Sequence, residues 1–329
     1  MKKIAITMGE PGGVGPEIII KALHSGKVRS RFAPVVIGNA DVMREAVKMT
    51  ELPIRIRTIS NISDLKPKPG HIDVFDIRSR LPVKKCVSSK SAGSAIIKYI
   101  EKAVELALNN EVSAIVTAPI SKESLKMAGA KWPGHTEMLA DLTNTSDFAM
   151  MFASNKLRII LSTIHISLKD VPKKINEKLV LRTIRLAKIG AGMLGINEPR
   201  IAVAGLNPHA GESGIMGTEE ITAIIPAINK ARKDGINASG PYPPDVVFHK
   251  ALNKEVDMIV CMYHDQGLIP FKMLAFETGV NVTVGLPIIR TSPDHGTAFD
   301  IAWKNKANPS SMIEAIKQAL KMEGKRSWT

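Results

Sequence analysis

The chain has 329 residues, 44% hydrophobic and 4% aromatic, enough to bury one large core or two modest ones and too long for a small disulfide-stapled scaffold. Lys plus Arg number 45 against 31 Asp plus Glu, a formal charge of +14. With few aromatic stacking platforms and no long basic run, that surplus points to small anionic ligands rather than to nucleic acid or a membrane surface. Short β-branched or apolar runs at Ile4–Met8, Val35–Gly38, Ile72–Phe75, Ala114–Thr117, Arg158–Thr163, Ile201–Ala204, Met258–Met262 and Val280–Val284 predict strands. Helical spacing predicts helices over Ser91–Leu108, Lys178–Leu194, Thr218–Arg232 and Ser310–Met322, and a shorter one over Val246–Leu252 capped by Asp245. Alternation of the two predicts an α/β protein with a mostly parallel sheet. No Gly/Ser linker or internal repeat interrupts it.

Cys86 and Cys261 have no C-x-x-C partner, which argues against a disulfide framework or a cysteine zinc site. The N-terminal apolar stretch before Gly9 is too short for a signal-peptide core, and no apolar run approaches the roughly 18 residues of a membrane span. A cytoplasmic protein is expected.

The polar and glycine-rich segments fall in one kind of place. TMGEPGGVGPE, TAPISKE, IHIS, GLNPHAGE, YHDQG and GLPIIRTSPDHGTA each lie just past the carboxyl end of a predicted strand. In an open parallel sheet those ends share an edge where ligands bind, so the six segments are expected to converge on one cleft. His24, His71 and His249 read as surface residues. His135, His165, His209, His264 and His295 sit among glycine, proline and small residues beyond strands or turns. Three imidazoles at one sheet edge, with an open position, describe a catalytic metal site. There is no H-E-x-x-H, which disfavours a zincin-like protease. GEPGGVGPE matches neither G-x-G-x-x-G nor a P-loop. It reads as a strand-to-helix turn, with Pro16 at the helix start and Glu17 favoured by the dipole, whose free amides would suit an anion or a polar cofactor. Lys272, Asn281 and Arg290, and more distantly Lys122, are candidate phosphate contacts.

At GHTE, NPHAGE with GTEE following, YHDQG and GVNVTVGLPIIRTSPDHGTAFDIA the chain resembles the 4-hydroxythreonine-4-phosphate dehydrogenase family of vitamin B6 biosynthesis, from TMGEPGGVGPE to the last helix. The resemblance implies a three-layer α/β/α fold like that of the isocitrate and isopropylmalate dehydrogenases, in two subdomains with a cleft between them, acting as a homodimer. The subdomains are expected near residues 1–125 with 268–329 and near 126–267. It implies that His165, His209 and His264 bind a divalent metal (Zn, Co, Mn or Mg) in a site shared between subunits. It implies that His135, Thr136, Lys272, Asn281 and Arg290 contact a phosphorylated substrate. HGTAFDIA looks like the HGSAPDIA loop that holds the adenosine part of NAD in isopropylmalate dehydrogenases, with Phe299 in place of the proline and Trp303 in place of the following glycine. Gly12, Gly13, Asp294, His295 and Gly296 are the candidate contacts for NAD or NADP. Lys272, Asp265 and Asp245 are the candidate catalytic groups, and the choice of proton acceptor between the two carboxylates is open. The implied reaction is oxidation and decarboxylation of 4-phosphohydroxy-L-threonine to 3-amino-2-oxopropyl phosphate and CO2. A sister activity on D-threonate or D-erythronate 4-phosphate is the alternative, and a metal-dependent aldolase or hydrolase is the alternative from another class.

Overall fold

The computed structural model describes residues 1–28, 32–78 and 83–324. The chain divides into two compact units, Met1–Ser146 with Leu286–Glu323, and Asp147–Gly285. The first contains β1 (Lys3–Thr7), α1 (Gly15–His24), β2 (Ala33–Gly38), α2 (Ala40–Thr50), β3 (Arg55–Ile59), β4 (His71–Asp76), α3 (Lys90–Leu108), β5 (Ala114–Thr117), α4 (Lys122–Met127) and α5 (His135–Leu142). The second runs through β6 (Ala149–Ala153), β7 (Arg158–Leu161), α6 (Val171–Lys174), α7 (Glu177–Met193), β8 (Ile201–Ala204), α8 (Ile225–Lys233), β9 (Ala238–Tyr242), α9 (Pro244–Leu252), β10 (Met258–Cys261), α10 (His264–Ala275) and β11 (Val280–Val284). The chain then returns to the first unit with β12 (Arg290–Pro293) and α11 (Ser310–Glu323).

The first unit orders its strands β3-β4-β2-β1-β5-β12, all parallel. Every residue of β2 and β5 is buried, as expected where helices cover both faces of a parallel sheet. One helical layer holds α1, α2 and α11, the other α3, α4 and α5. The second unit orders its strands β11-β6-β7-β10-β8-β9, with β6 antiparallel to both neighbours and the rest parallel. Its core includes Phe152, Ile159, Leu161, Ile259, Cys261 and Phe271, with the two phenyl rings 5.8 Å apart. Helix α7 packs on β6, β7, β8, β10 and β11, while α9 and α10 pack on the central strands.

The units part at 146/147 and 285/286, later in each case than the expected 125/126 and 267/268. Residues 126–146 stay with the first unit because α5 packs on α3. Residues 268–285 stay with the second because α10 packs on β7 and β10, and β11 pairs with β6. Strands β3, β6, β9 and β12 go beyond the expected set. The expected helix over 218–232 begins with a π turn, Glu220–Ile224, before α8. Pro226 sits there without an N–H to donate into the preceding turn. Asp245 is not the cap of α9: Pro243 holds that position and Asp245 lies in the first turn, where its charge still suits the dipole. In α3 the buried face runs through Tyr99, Ile100 and Ala103, while Leu108 at its end is exposed. Among the described residues no helix is long and apolar enough to cross a membrane.

Gly93 in the first turns of α3 lies against α4, where an added Cβ would collide with the Ser124 carbonyl. Helix propensity alone favours alanine there by about 1 kcal/mol. We expect the contact to win, so that Gly93→Ala destabilises by about 1–3 kcal/mol in urea unfolding. A stabilised variant would mean that the two helices have slack.

Candidate active site

Three of the six polar segments gather at the carboxyl edge of the first unit's sheet. β1 and β5 run in register, Thr7 beside Thr117, and the chain beyond them is tied by Ala118 N–H donating to the Thr7 carbonyl and Glu10 N–H to the Pro119 carbonyl, at 3.1 and 2.8 Å. The segment expected as a single loop after Val284 contains β12, so its TSPDHGTA part emerges at this same edge. Val14 N–H donates to the Thr297 carbonyl at 3.0 Å, bringing GEPGG beside HGTAF although they are far apart in the chain. A Cβ on Gly13 would press on Thr297, and one on Gly12 would collide with the Lys84 carbonyl, so both glycines are present where backbone approaches backbone. His295 is exposed, its Nδ1 3.0 Å from the Gly296 carbonyl, and Asp294 N–H donates to Ser311 Oγ at 3.3 Å. Gly296 faces open space.

Glu10, completely buried, braces the glycine loop. Ser124 Oγ donates to its Oε2 at 2.7 Å and Gly12 N–H to its Oε1 at 3.2 Å. Burial raises its carboxyl above the ordinary range, opposed by those two hydrogen bonds.

Arg290 is 2% exposed at the start of β12, and its Nε and Nη2 donate to Thr117 Oγ1 at 3.1 and 2.8 Å. Burial lowers the guanidinium to about 10, with Glu137 opposing, so it stays cationic at neutral pH. His135 opens α5, followed by buried Thr136. The His135 Nε2 is sealed from solvent without a partner among the described residues. Burial holds this imidazole well below the ordinary histidine range, and the charge of Arg290 acts in the same direction. His135 is therefore neutral at pH 7. Thr117 was not among the sequence candidates; its position at the last residue of a predicted strand, before TAPISKE, was the available signal.

The other three segments gather in the second unit. Thr163 N–H and Oγ both donate to the Met262 carbonyl, at 3.1 and 2.7 Å, tying the segment after β7 to that after β10. Gln266 accepts from Met262 N–H at 2.6 Å and donates to the Gly205 carbonyl at 2.7 Å, adding the segment after β8. The rings of His165 and His264 lie 5.8 Å apart, beside a cavity of about 400 Å³ also lined by Tyr263, Asp265, Ile164 and Leu168. His264 Nδ1 is 2.6 Å from Asp265 Oδ1. A proton on Nδ1 is thus donated to the carboxylate, and Nε2 keeps its lone pair for a metal. His209 is exposed on the neighbouring NPHAGE loop, and among the described residues no three His, Cys, Asp or Glu side chains are grouped to hold an ion. The chemistry of the donors fits a divalent ion, with two imidazoles adjacent and the remaining positions left to other ligands. Lys272 is half-buried on α10 with Nζ 6.0 Å from the Phe276 ring. Asn281 is buried in β11, and its Oδ1 has no partner among the described residues. Asp245 is exposed on α9.

Because the His135 ring is lowered in the fold, the unfolded chain binds a proton below about pH 6.5 that the folded chain refuses. Its contribution is fully present above that pH. Stability is expected to fall as pH drops further, by up to about 1.4 kcal/mol per unit from this group. Urea midpoints against pH should lose this component in His135→Asn; an identical pH dependence in both proteins would show that the ring titrates normally.

Residues 30–319 match the family described as Pyridoxal phosphate biosynthetic protein PdxA. A 4-hydroxythreonine-4-phosphate dehydrogenase from Desulforapulum autotrophicum is 48% identical over 320 residues, covering 96% of this chain and 94% of that protein. A D-threonate 4-phosphate dehydrogenase from Pectobacterium atrosepticum is 44% identical over 324 residues, covering 98% and 99%. The crystal structure of 4-hydroxythreonine-4-phosphate dehydrogenase from Klebsiella pneumoniae superposes with a TM-score of 0.90 at 44% identity, covering 98% of each chain. Agreement of sequence and fold over nearly the whole length makes this chain a member of the PdxA family of pyridoxal phosphate biosynthetic proteins.

Proposed function

We propose that this protein is an NAD- or NADP-dependent dehydrogenase that oxidises and decarboxylates 4-phosphohydroxy-L-threonine to 3-amino-2-oxopropyl phosphate and CO2, for pyridoxal 5'-phosphate synthesis. The observation that carries the reading is 48% identity over 96% of the chain to a protein named for that substrate. Free thiols at Cys86 and Cys261 fit a reducing cytoplasmic compartment.

Of the residues expected to contact substrate, His135, Thr136 and Arg290 belong to the first unit and Lys272 and Asn281 to the second. Arg290 is a fixed cation, with two of its nitrogens held by Thr117, and so can grip an anionic group without reorganising. Neutral His135 offers its sealed Nε2 as a hydrogen-bonding group and adds no further positive charge. Lys272 binds a charged part of the substrate away from the reacting carbon, where binding energy becomes orientation. Gly12, Gly13 and the Asp294–Gly296 segment, joined through Val14 and Thr297, form the dinucleotide contacts.

His165, His209 and His264 would hold a divalent ion in a site shared between two copies of the chain. Such an ion supplies Lewis acidity to the hydroxyl being oxidised and to the ketone being decarboxylated. Asp265, engaged with His264 Nδ1, keeps that ring oriented, and the proton acceptor is one of the two carboxylates Asp265 and Asp245. The homodimer is supported by Ile269 and Met273 on α10 and Phe276 at its C-terminal cap, 59%, 83% and 73% exposed at helical spacing. On this reading Met273→Glu halves the mass measured by light scattering; an unchanged dimer would remove these residues from the interface.

Relatives named for D-threonate 4-phosphate at 44% identity favour a second reading, in which a hydroxyl replaces the substrate amine. The purified protein supplied with a divalent ion, NAD+ or NADP+ and each substrate in turn is expected to reduce cofactor and release CO2 with phosphohydroxythreonine. Turnover with threonate phosphate alone would select the second reading. Absence of cofactor binding with metal and substrate present would instead favour an aldolase or hydrolase.

A further inference from the structure

We propose that Glu220 is a positioning residue for His209, its buried carboxylate serving as the post around which the NPHAGE loop is wound. The inference rests on His209 being a metal ligand, as proposed above.

The loop leaves β8 at Gly205 and adopts a backbone that its residues do not favour. His209, Ala210, Gly211, Glu212 and Ser213 are successive left-handed residues, with φ of 53°, 52°, 84°, 43° and 55°. Non-glycine residues visit this region singly as a rule, because Cβ crowds the following carbonyl. A run of them persists only where surrounding contacts over-determine it. The segment closes as a short 3₁₀ turn, Pro208–Gly214, and is tied at its ends by Ala210 N–H to the Asn207 carbonyl at 3.1 Å, Ile215 N–H to the Glu212 carbonyl at 3.2 Å and Met216 N–H to the Gly211 carbonyl at 3.1 Å, bonds that are local to the loop and do not anchor it to the rest of the unit.

Glu220 supplies an anchor at the loop's entry. It is 1% exposed. Its Oε1 accepts from the N–H groups of Leu206 and Asn207 at 2.7 and 2.8 Å, and its Oε2 accepts from Asn207 Nδ2 at 2.9 Å. The same Nδ2 donates to Glu219 Oε2 at 2.8 Å. A charged acceptor meeting three N–H groups makes bonds stronger than neutral ones. Two glycines make room for it: a Cβ would come within 3.1 Å of Oε1 at Gly205 and 2.7 Å of Oε2 at Gly211. The π turn that Glu220 opens is the local departure from α geometry beside this cluster, and such turns recur at functional sites. The entry to the loop is thereby fixed two residues before His209, and the left-handed run carries that orientation to the imidazole.

The test uses the full-length protein carrying Glu220→Gln, which keeps the side-chain shape but turns one acceptor oxygen into an N–H2 facing other donors. Amide exchange over residues 206–213 is expected to rise roughly 10- to 100-fold, as for lost hydrogen bonds to a charged acceptor. The amides of β8 and β10 keep wild-type protection. Affinity for Co2+, titrated calorimetrically without substrate, is expected to fall about 10- to 100-fold, as for other partners that orient a metal ligand. Unchanged exchange over 206–213 overturns the clamp. So does unchanged Co2+ affinity in Glu220→Gln when His209→Ala has lost it. If His209→Ala itself binds Co2+ like wild type, the ligand reading fails, and the exchange data still judge the clamp. Should Glu220→Gln not fold, Asn207→Ala removes only the side-chain donor and must still accelerate exchange in the same segment, or the proposal falls.

Discussion

Parallel pairing is the constraint on which the rest of this protein depends. Two parallel strands cannot be joined by a tight turn, so the chain must cross back over a helix, and each strand then ends at the same edge as its parallel neighbours. In the first unit this delivers Thr7, Thr117 and Pro293 to one edge. In the second it delivers the segments after β7, β8 and β10 together. Strands buried on both faces leave no room for polar side chains except at their ends, and the chemistry-bearing residues collect there.

Polar groups at these edges are held by burial rather than by long-range charge. Arg290 is sunk into the first unit and shares Thr117 through two of its nitrogens, and its charge helps to keep His135 neutral. Glu10 and Glu220 play related parts in the two units: each is a buried carboxylate bonded to a glycine-rich loop just past a strand, Glu10 by Gly12 N–H with Ser124 Oγ of α4 on its other oxygen, Glu220 by the N–H groups of Leu206 and Asn207. A buried carboxylate without such donors would be strongly destabilising, so each loop and its acid are mutually required. The surplus positive charge of the chain has little part in this. The Lys and Arg ion pairs of the surface, such as Arg185 with Asp234 and Lys173 with Asp170, are solvent-exposed and contribute weakly.

Several elements escaped a reading by pattern for identifiable reasons. β12 is Arg-Thr-Ser-Pro, a turn-like composition, and is a strand because Arg290 and Thr291 find buried partners in Thr117 and the Ala315 carbonyl. β9 contains Gly240 and Pro241 and survives as the end strand of its unit, where one side needs no donors. β3 is only partly buried, with Ile59 alone fully covered, and its isoleucines are diluted by arginines. β6, Ala-Met-Met-Phe-Ala, uses residues of good helix propensity and becomes a strand through its antiparallel neighbours β11 and β7. Among site residues, Thr117 offered only its place at a strand end and Glu220 only a second glutamate in GTEE, and each is ordinary until its partner is known.

What the sequence by itself determined was the α/β alternation, the strand ends at which the polar motifs lie, and the family, because periodicity and motif are local properties read along the chain. Tertiary structure decided which of those motifs meet within a unit, where the units divide, and the state of the groups that meet. The neutrality of His135, the grip of Thr117 on Arg290 and the winding of the His209 loop around Glu220 arise from burial and from hydrogen bonds between residues distant in sequence. Desolvation and donor geometry exist only once the chain has closed around them.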